Sequence, residues 1–289
     1  MSWKSIADLI AAEGQVAMLG APMEAGSVTP GRCDLAPETV RKALRRFSTY
    51  NVENGHELAV SIRDLGDVPV QGLTPADGFE AIRNAAKVAV ADHPLTLLLG
   101  GNNAVTRPAA HALGVPLAKV GLITLDAHFD LRETDEGPSN GNPIRCLLED
   151  GMPGANICQI GLAPFANTAK MHSDACAAGI GVYTLGQCLE RGILAVLNHA
   201  LGRFVNLDVL MVDFDIDVID RGQCPGAPGA RLGGMPAPMF FSAARRLGAD
   251  PRVKLVDLTE FDPGIDVGDI SALAAGRWVC EILAGFSGR

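Results

Sequence analysis

Eight short apolar runs punctuate the chain, and several are apolar from end to end instead of alternating. They occupy 15–21, 57–66, 94–100, 119–127, 155–162, 181–185, 207–215 and 252–260. A strand with one wet face alternates. An unbroken apolar strand is covered on both faces, as in parallel sheets sandwiched between helices. Helix-period stretches separate the runs: 36–47 with Pro37 early, 75–91, 185–204 and 266–286. With 289 residues the chain can bury a large core. No linker, repeat or low-complexity tract divides it. The expectation is one α/β domain over 1–289 with three-layer α/β/α architecture.

Charge narrows the function. The net charge is −9 with 20% charged residues and no basic tract, which argues against nucleic acid and anionic membranes as partners. No apolar run approaches the ~18 residues of a membrane span. The start, MSWKSIADLIAAEG, reads as an amphipathic helix carrying Asp8 and Glu13, not a signal peptide. Seven scattered cysteines without a C-x-x-C pair read as reduced thiols in a cytoplasmic protein.

Two of the runs end in carboxylates. LITLDAHFDLR closes on Asp126, His128 and Asp130; LMVDFDIDVID closes on Asp213, Asp215, Asp217 and Asp220. Alternate residues of an extended segment point the same way. Asp126 and His128 are therefore expected to face one site with Asp130 close behind, and Asp213, Asp215 and Asp217 to share one face. Carboxylates crowded together repel and cost desolvation energy, and a divalent cation is the usual offset. In open α/β sheets, ligands bind beyond the C-terminal ends of the strands. Carboxylates with one imidazole suit a hard ion such as manganese. Two such clusters suit a pair of metals about 3.5–4 Å apart. The Gly/Pro-rich loops 133–143 and 221–237 are long enough to be functional.

DAHFD and DFDIDVID resemble the D-A-H-x-D and S-x-D-x-D-x-x-D signatures of the ureohydrolases: arginases, agmatinases, guanidinobutyrases and formimidoylglutamases. GRCDLAPETVRKAL is similar to the segment leading into that family's first large helix, and IRDLGDV to its second strand and turn. SNGNPIR resembles the substrate loop, and DLTEFDP the late strand with a substrate-side glutamate. The resemblance implies a central, mostly parallel eight-stranded sheet, an oligomer (trimer or hexamer), and a binuclear Mn2+ site whose shared hydroxide attacks the planar carbon of a guanidine or amidine. It implies that Asp126 and Asp215 bridge the metals, Asp130 completes one site, and His128 and Asp217 complete the other. Glu260 would hold the cationic nitrogens. Asn140, Asn142 and Arg145 fall in the substrate loop, Asn140 at a catalytic position and the other two at substrate-binding ones.

The departures carry information. Where the family has G-G-D-H-S, this chain reads Gly100-Gly101-Asn102-Asn103-Ala104. Asn103 stands in the histidine slot, and an amide oxygen is a weaker ligand than imidazole. Asn102 reads as a turn former. Asn140 replaces a histidine thought to shuttle protons, and an amide does no acid–base work. Asp213 replaces a serine. The expectation is two unequal metal sites, the one beside Asn103 weak or empty. GLAPFANTA resembles formimidoylglutamases at the same place, and a formimidoyl carbon is a less resonance-stabilised electrophile than a guanidinium. The favoured small-molecule substrate is N-formimidoyl-glutamate, cleaved to glutamate and formamide. The alternatives are an agmatinase or guanidino-acid hydrolase, and a catalytically impaired relative. Substrate carboxylates call for arginines, with Arg32, Arg145 and Arg231 as loop candidates.

Overall fold

A computed structural model describes residues 3–289. Eight parallel strands form one sheet in the order β4–β1–β5–β10–β9–β6–β7–β8. They are β1 (Val16–Ala21), β4 (Ile62–Asp67), β5 (Leu95–Gly100), β6 (Val120–Leu125), β7 (Ile157–Leu162), β8 (Gly181–Thr184), β9 (Val209–Asp215) and β10 (Val253–Thr259). β2 (Tyr50–Asn51) and β3 (His56–Glu57) form a separate antiparallel ribbon. The run at 57–66 is thus divided, its first residue going to the ribbon and Ile62–Gly66 to the sheet.

Each inner strand feeds two cores. Leu95, Leu97 and Leu99 join one cluster with Val40, Phe240 and Trp278, while Leu98 joins another with Ile82, Ala109 and Leu147. The first cluster is covered by α1 (Ala36–Ala43), α8 (Ala237–Gly248) and α9 (Ile270–Phe286). The second is covered by α2 (Pro75–Asp92), α3 (Thr106–His111) and α4 (Pro143–Glu149). This two-sided burial explains the missing alternation. Edge strands β4 and β8 do carry exposed residues, as expected where one side of the sheet ends in solvent. The chain also contains α5 (Ala169–Ala178), α6 (Leu185–Arg191) and α7 (Ile193–Arg203).

Two helical expectations change. The N-terminal segment forms only a 3-10 turn, Ile6–Leu9, with Ser5 and Asp8 bonded to each other; residues 1–2 lie outside the described part. Ile10 instead bridges to Ile62 of β4, so the chain is drawn onto the sheet edge. The stretch 185–204 is two helices, because Gly192 sits at φ 78 and ψ 141 between them. That backbone region is open almost solely to glycine. Nothing packs where a Cβ would go, so Gly192→Ala is expected to cost backbone strain alone, about 2 kcal/mol, or a few degrees of Tm by calorimetry. An unchanged Tm would show that the break between helices is not held by this glycine.

Candidate metal centre and substrate cleft

The four central strands β5, β10, β9 and β6 all deliver polar groups to their C-terminal ends. β6 runs into Asp126, His128 and Asp130; β9 ends at Asp215, followed by Asp217 in a 3-10 turn; β10 is followed by Glu260; β5 is followed by Asn103. Asp126, Asp130, Asp215, Asp217 and Glu260 are all buried. All but Asp126 line a cleft of about 140 Å³, together with His128, Asn140, Asn167, Arg132 and Arg231.

Hydrogen bonds pre-set the ligand geometry. Asp126 Oδ1 accepts from the His128 backbone N–H at 2.6 Å, and Asp215 Oδ1 from that of Asp217 at 2.8 Å. Asn167 accepts from Phe129 N–H and donates to Ala127 C=O, both at 2.9 Å, and Gln159 donates to Phe129 C=O at 2.8 Å. The Asp-Ala-His-Phe-Asp segment is therefore clamped from β7 and the loop after it. Asp130 and Glu260 sit at φ 52 and 61, a left-handed conformation that non-glycine residues adopt at a cost and that clusters at functional sites.

Electrostatics show a site short of positive charge. Asp126, His128 and Asp217 offer ligand atoms within 4.8 Å of one another. His128 Nδ1 lies 2.9 Å from Asp217 Oδ2 and 3.5 Å from Asp126 Oδ1. The Asp217 charge, helped by Asp126, pulls the imidazole up to about 12. Burial pushes Asp126 up to about 6. Burial and neighbouring carboxylates raise Asp130 and Asp215 well above the ordinary range. Burial opposes Asp217 as well, yet the His128 charge holds its carboxyl low. Asp126 Oδ2 is buried with no hydrogen-bond partner. An orphaned carboxylate oxygen among crowded acids fits a divalent cation, which would offset both desolvation and repulsion.

Glu260 stands apart from the other acids. Its Oε1 accepts from the Asn103 backbone N–H at 2.7 Å and from Asn140 Nδ2 at 3.0 Å, which leaves Oε2 for a ligand. Burial pushes its carboxyl up to about 7 against the pull of those two donors.

Several expectations are re-sited. Asp213 does not share the face of the site at the level of Asp215 and Asp217. It lies one layer deeper, paired in register with Asp257 of β10 and Thr124 of β6. Burial, and then the neighbouring Asp257, raise its carboxyl well above the usual range. Asp217 escapes strand alternation because the 3-10 turn rotates it back toward His128. Asp220 organises the 221–237 loop, accepting from Gly222, Gly233 and Gly234 N–H groups. Asn102 has an ordinary extended backbone, φ −76 and ψ 168; its side chain caps the following turn and ties down Glu24, Ala25 and Ser27. Gly101 lets that segment approach, since a Cβ there would lie 1.9 Å from Met23 C=O.

Arg145 and Asn142 are outside the cleft lining. Arg145 pairs with Asp174 and Leu131 C=O, docking α4 on α5. Asn142 accepts from Ser139 N–H and donates to Glu133 and Gly137 C=O, which shapes its own loop. Arg32 is committed to Asp34. Arg231 does line the cleft, and so does Arg132, which sequence reasoning passed over. The signal was present: Arg132 follows Asp130 by two residues, so it leaves the same strand end.

The sequence profile described as the Arginase family matches residues 14–285. Formimidoylglutamase of Halalkalibacterium halodurans is 32% identical over 93% of this chain and 86% of its own. The crystal structure of formimidoylglutamase from Bacillus subtilis superposes with a TM-score of 0.92 at 27% identity, covering 99% of this chain and 92% of that one. Trypanosoma cruzi formiminoglutamase with Mn2+2 gives 0.90 at 22% identity over 99% of both chains, a likeness of fold. With its sheet order, its acidic strand ends and this match over residues 14–285, the chain belongs to the arginase family.

Proposed function

We propose that this chain is a manganese-dependent amidine hydrolase that converts N-formimidoyl-glutamate and water to glutamate and formamide. The observation that carries this reading is one cleft with an acidic, cation-deficient floor and two arginines, Arg132 and Arg231, on its lining. Asp126, His128, Asp130, Asp215 and Asp217 would hold the metal pair, which supplies Lewis acidity and a water nucleophilic at neutral pH.

The remaining work falls to the chain's own groups. Glu260 Oε2 receives the N–H groups of the amidinium and fixes the planar carbon over the floor. Asn140 and the Asn103 backbone hold the other oxygen of Glu260, so Asn140 positions the glutamate instead of carrying protons. Both cleft arginines are exposed and neither forms an ion pair among the described residues, so their guanidiniums can take the two carboxylates of the substrate in forked hydrogen bonds. The oligomer implied by the family resemblance and the cytoplasmic setting read from the unpaired cysteines belong to the same proposal.

Steady-state kinetics on N-formimidoyl-glutamate, 3-guanidinopropionate and agmatine test it. Arg132→Ala and Arg231→Ala are each expected to raise KM for the dicarboxylate about 10–100-fold, the scale of a charge-assisted pair worth about 1.5–3 kcal/mol, with a smaller change in kcat. A wild-type preference for agmatine, which carries no carboxylate, would sink the substrate assignment.

A further inference from the structure

Beneath the metal centre three buried side chains that the reaction does not use directly, Asn103, Thr106 and Asp257, run up to Asp130. Asn103 Nδ2 donates to Asp130 Oδ2 at 2.7 Å. Thr106 Oγ1 donates to Asn103 Oδ1 at 2.7 Å, and the same hydroxyl lies 2.9 Å from Asp257 Oδ2. Thr106 and Asp257 are fully buried and Asn103 nearly so. Asp257 is anchored in the middle of β10, beside Asp213 of β9. No water-filled route is needed to connect the links; each is a direct bond.

The donor inventory makes Thr106 the pivot. An asparagine amide has a donor end and an acceptor end. With the N–H end on Asp130, the oxygen end needs a donor from below, and Thr106 provides it, its one hydrogen going to Asn103 while the carboxyl of Asp257 donates to the Thr106 oxygen. With the oxygen end turned to a cation at Asp130, the N–H end needs an acceptor below, and the Thr106 oxygen provides that too, its own O–H then donating to Asp257 Oδ2. A hydroxyl serves both polarities; an aliphatic side chain serves neither. We infer that Thr106, braced on Asp257, is a positioning residue that holds the Asn103 amide in line with Asp130 and thereby sets the affinity of the metal site on the Asn103 side. The inference rests on the metal reading above, and its prediction concerns the second ion only.

The test is Mn2+ binding by calorimetry, with electron paramagnetic resonance to distinguish an isolated ion from a coupled pair. Wild type is expected to take two ions per chain at saturation, the tighter one on the His128 side. Thr106→Val and Thr106→Ala are expected to weaken the second ion about ten-fold or more and to leave the first within about two-fold, which also reports that the variants are folded. Thr106→Ser should restore wild-type binding and the coupled signal. In an Asn103→Ala background, Thr106→Val should cause no further loss, because its effect passes through the amide. Unchanged second-ion affinity in Thr106→Val and Thr106→Ala, a loss in Thr106→Ser equal to that in Thr106→Val, or additive losses with Asn103→Ala would each overturn the inference while leaving the metal reading intact. A wild-type chain that binds no Mn2+ would overturn both.

Discussion

Chelation of the divalent metal is expected to abolish turnover and to lower Tm by about 5–10 °C, with both restored by Mn2+. The size follows from mass action at the tighter site alone: an ion present at about 100 times its Kd adds about 2.7 kcal/mol, and each kcal/mol moves Tm by about 2–4 °C in a large domain. The effect should also depend on pH in a stated direction. In the metal-free chain, Asp126 titrates near 6, Asp130 and Asp215 well above the usual range, and His128 near 12. All four are raised, so the folded state binds more protons than the unfolded chain, and metal-free stability falls as pH rises above the ordinary carboxylate value of about 4, with His128 adding to the loss above its ordinary value of about 6.5. Asp217 runs the other way, its low value favouring the fold above the ordinary carboxylate range. A divalent ion replaces the bound protons and removes the penalty. The Mn2+-induced rise in Tm should therefore be larger at pH 8 than at pH 6, measured by scanning calorimetry with and without metal. A larger rise at pH 6, or turnover that survives chelation, would contradict the metal centre. Asp126→Asn and Asp215→Asn should each reduce kcat/KM by about 10³-fold or more, several kcal/mol of transition-state stabilisation.

Asn103→His is expected to tighten the second ion about 10–100-fold, because imidazole is a stronger ligand than an amide oxygen. The same change breaks the bonds of Asn103 to Thr106 and Asp130. A buried hydroxyl and carboxylate lose a partner, at a cost of about 1–3 kcal/mol to the metal-free fold. The variant should thus melt lower than wild type without metal and gain more from Mn2+. Metal counting and paired melting curves check both halves. If second-ion affinity is unchanged, position 103 does not belong to the metal centre.

Much of this arrangement was legible in the sequence because strands buried on both faces leave no alternation. The eight runs mark the eight strands, and their polar ends mark the crevice where ligands gather. Residues that end a strand or follow it directly, such as Asp215, Asp126 and Glu260, could be placed by strand geometry alone. Asp213 could not. Period-two reasoning puts it on the face of Asp215 correctly, but only the register with Asp257 and Thr124 shows that it lies a layer below the cleft. The loop arginines divide in the same way. Their charges are plain in the sequence, yet Arg32 and Arg145 are spent on Asp34 and Asp174, partners that only folding or local geometry selects.

The sequence by itself determined the layered fold, the two acidic strand ends and the asparagine at position 103, because these depend on burial periodicity and on side-chain chemistry. Only the tertiary structure decided what that asparagine does. Its partners come from the segment just after β10, from α3 and from the loop after β6, as much as 157 positions away along the chain. Hydrogen-bond polarity across such distances is set by which groups the packed layers bring within 3 Å, and no local pattern encodes it.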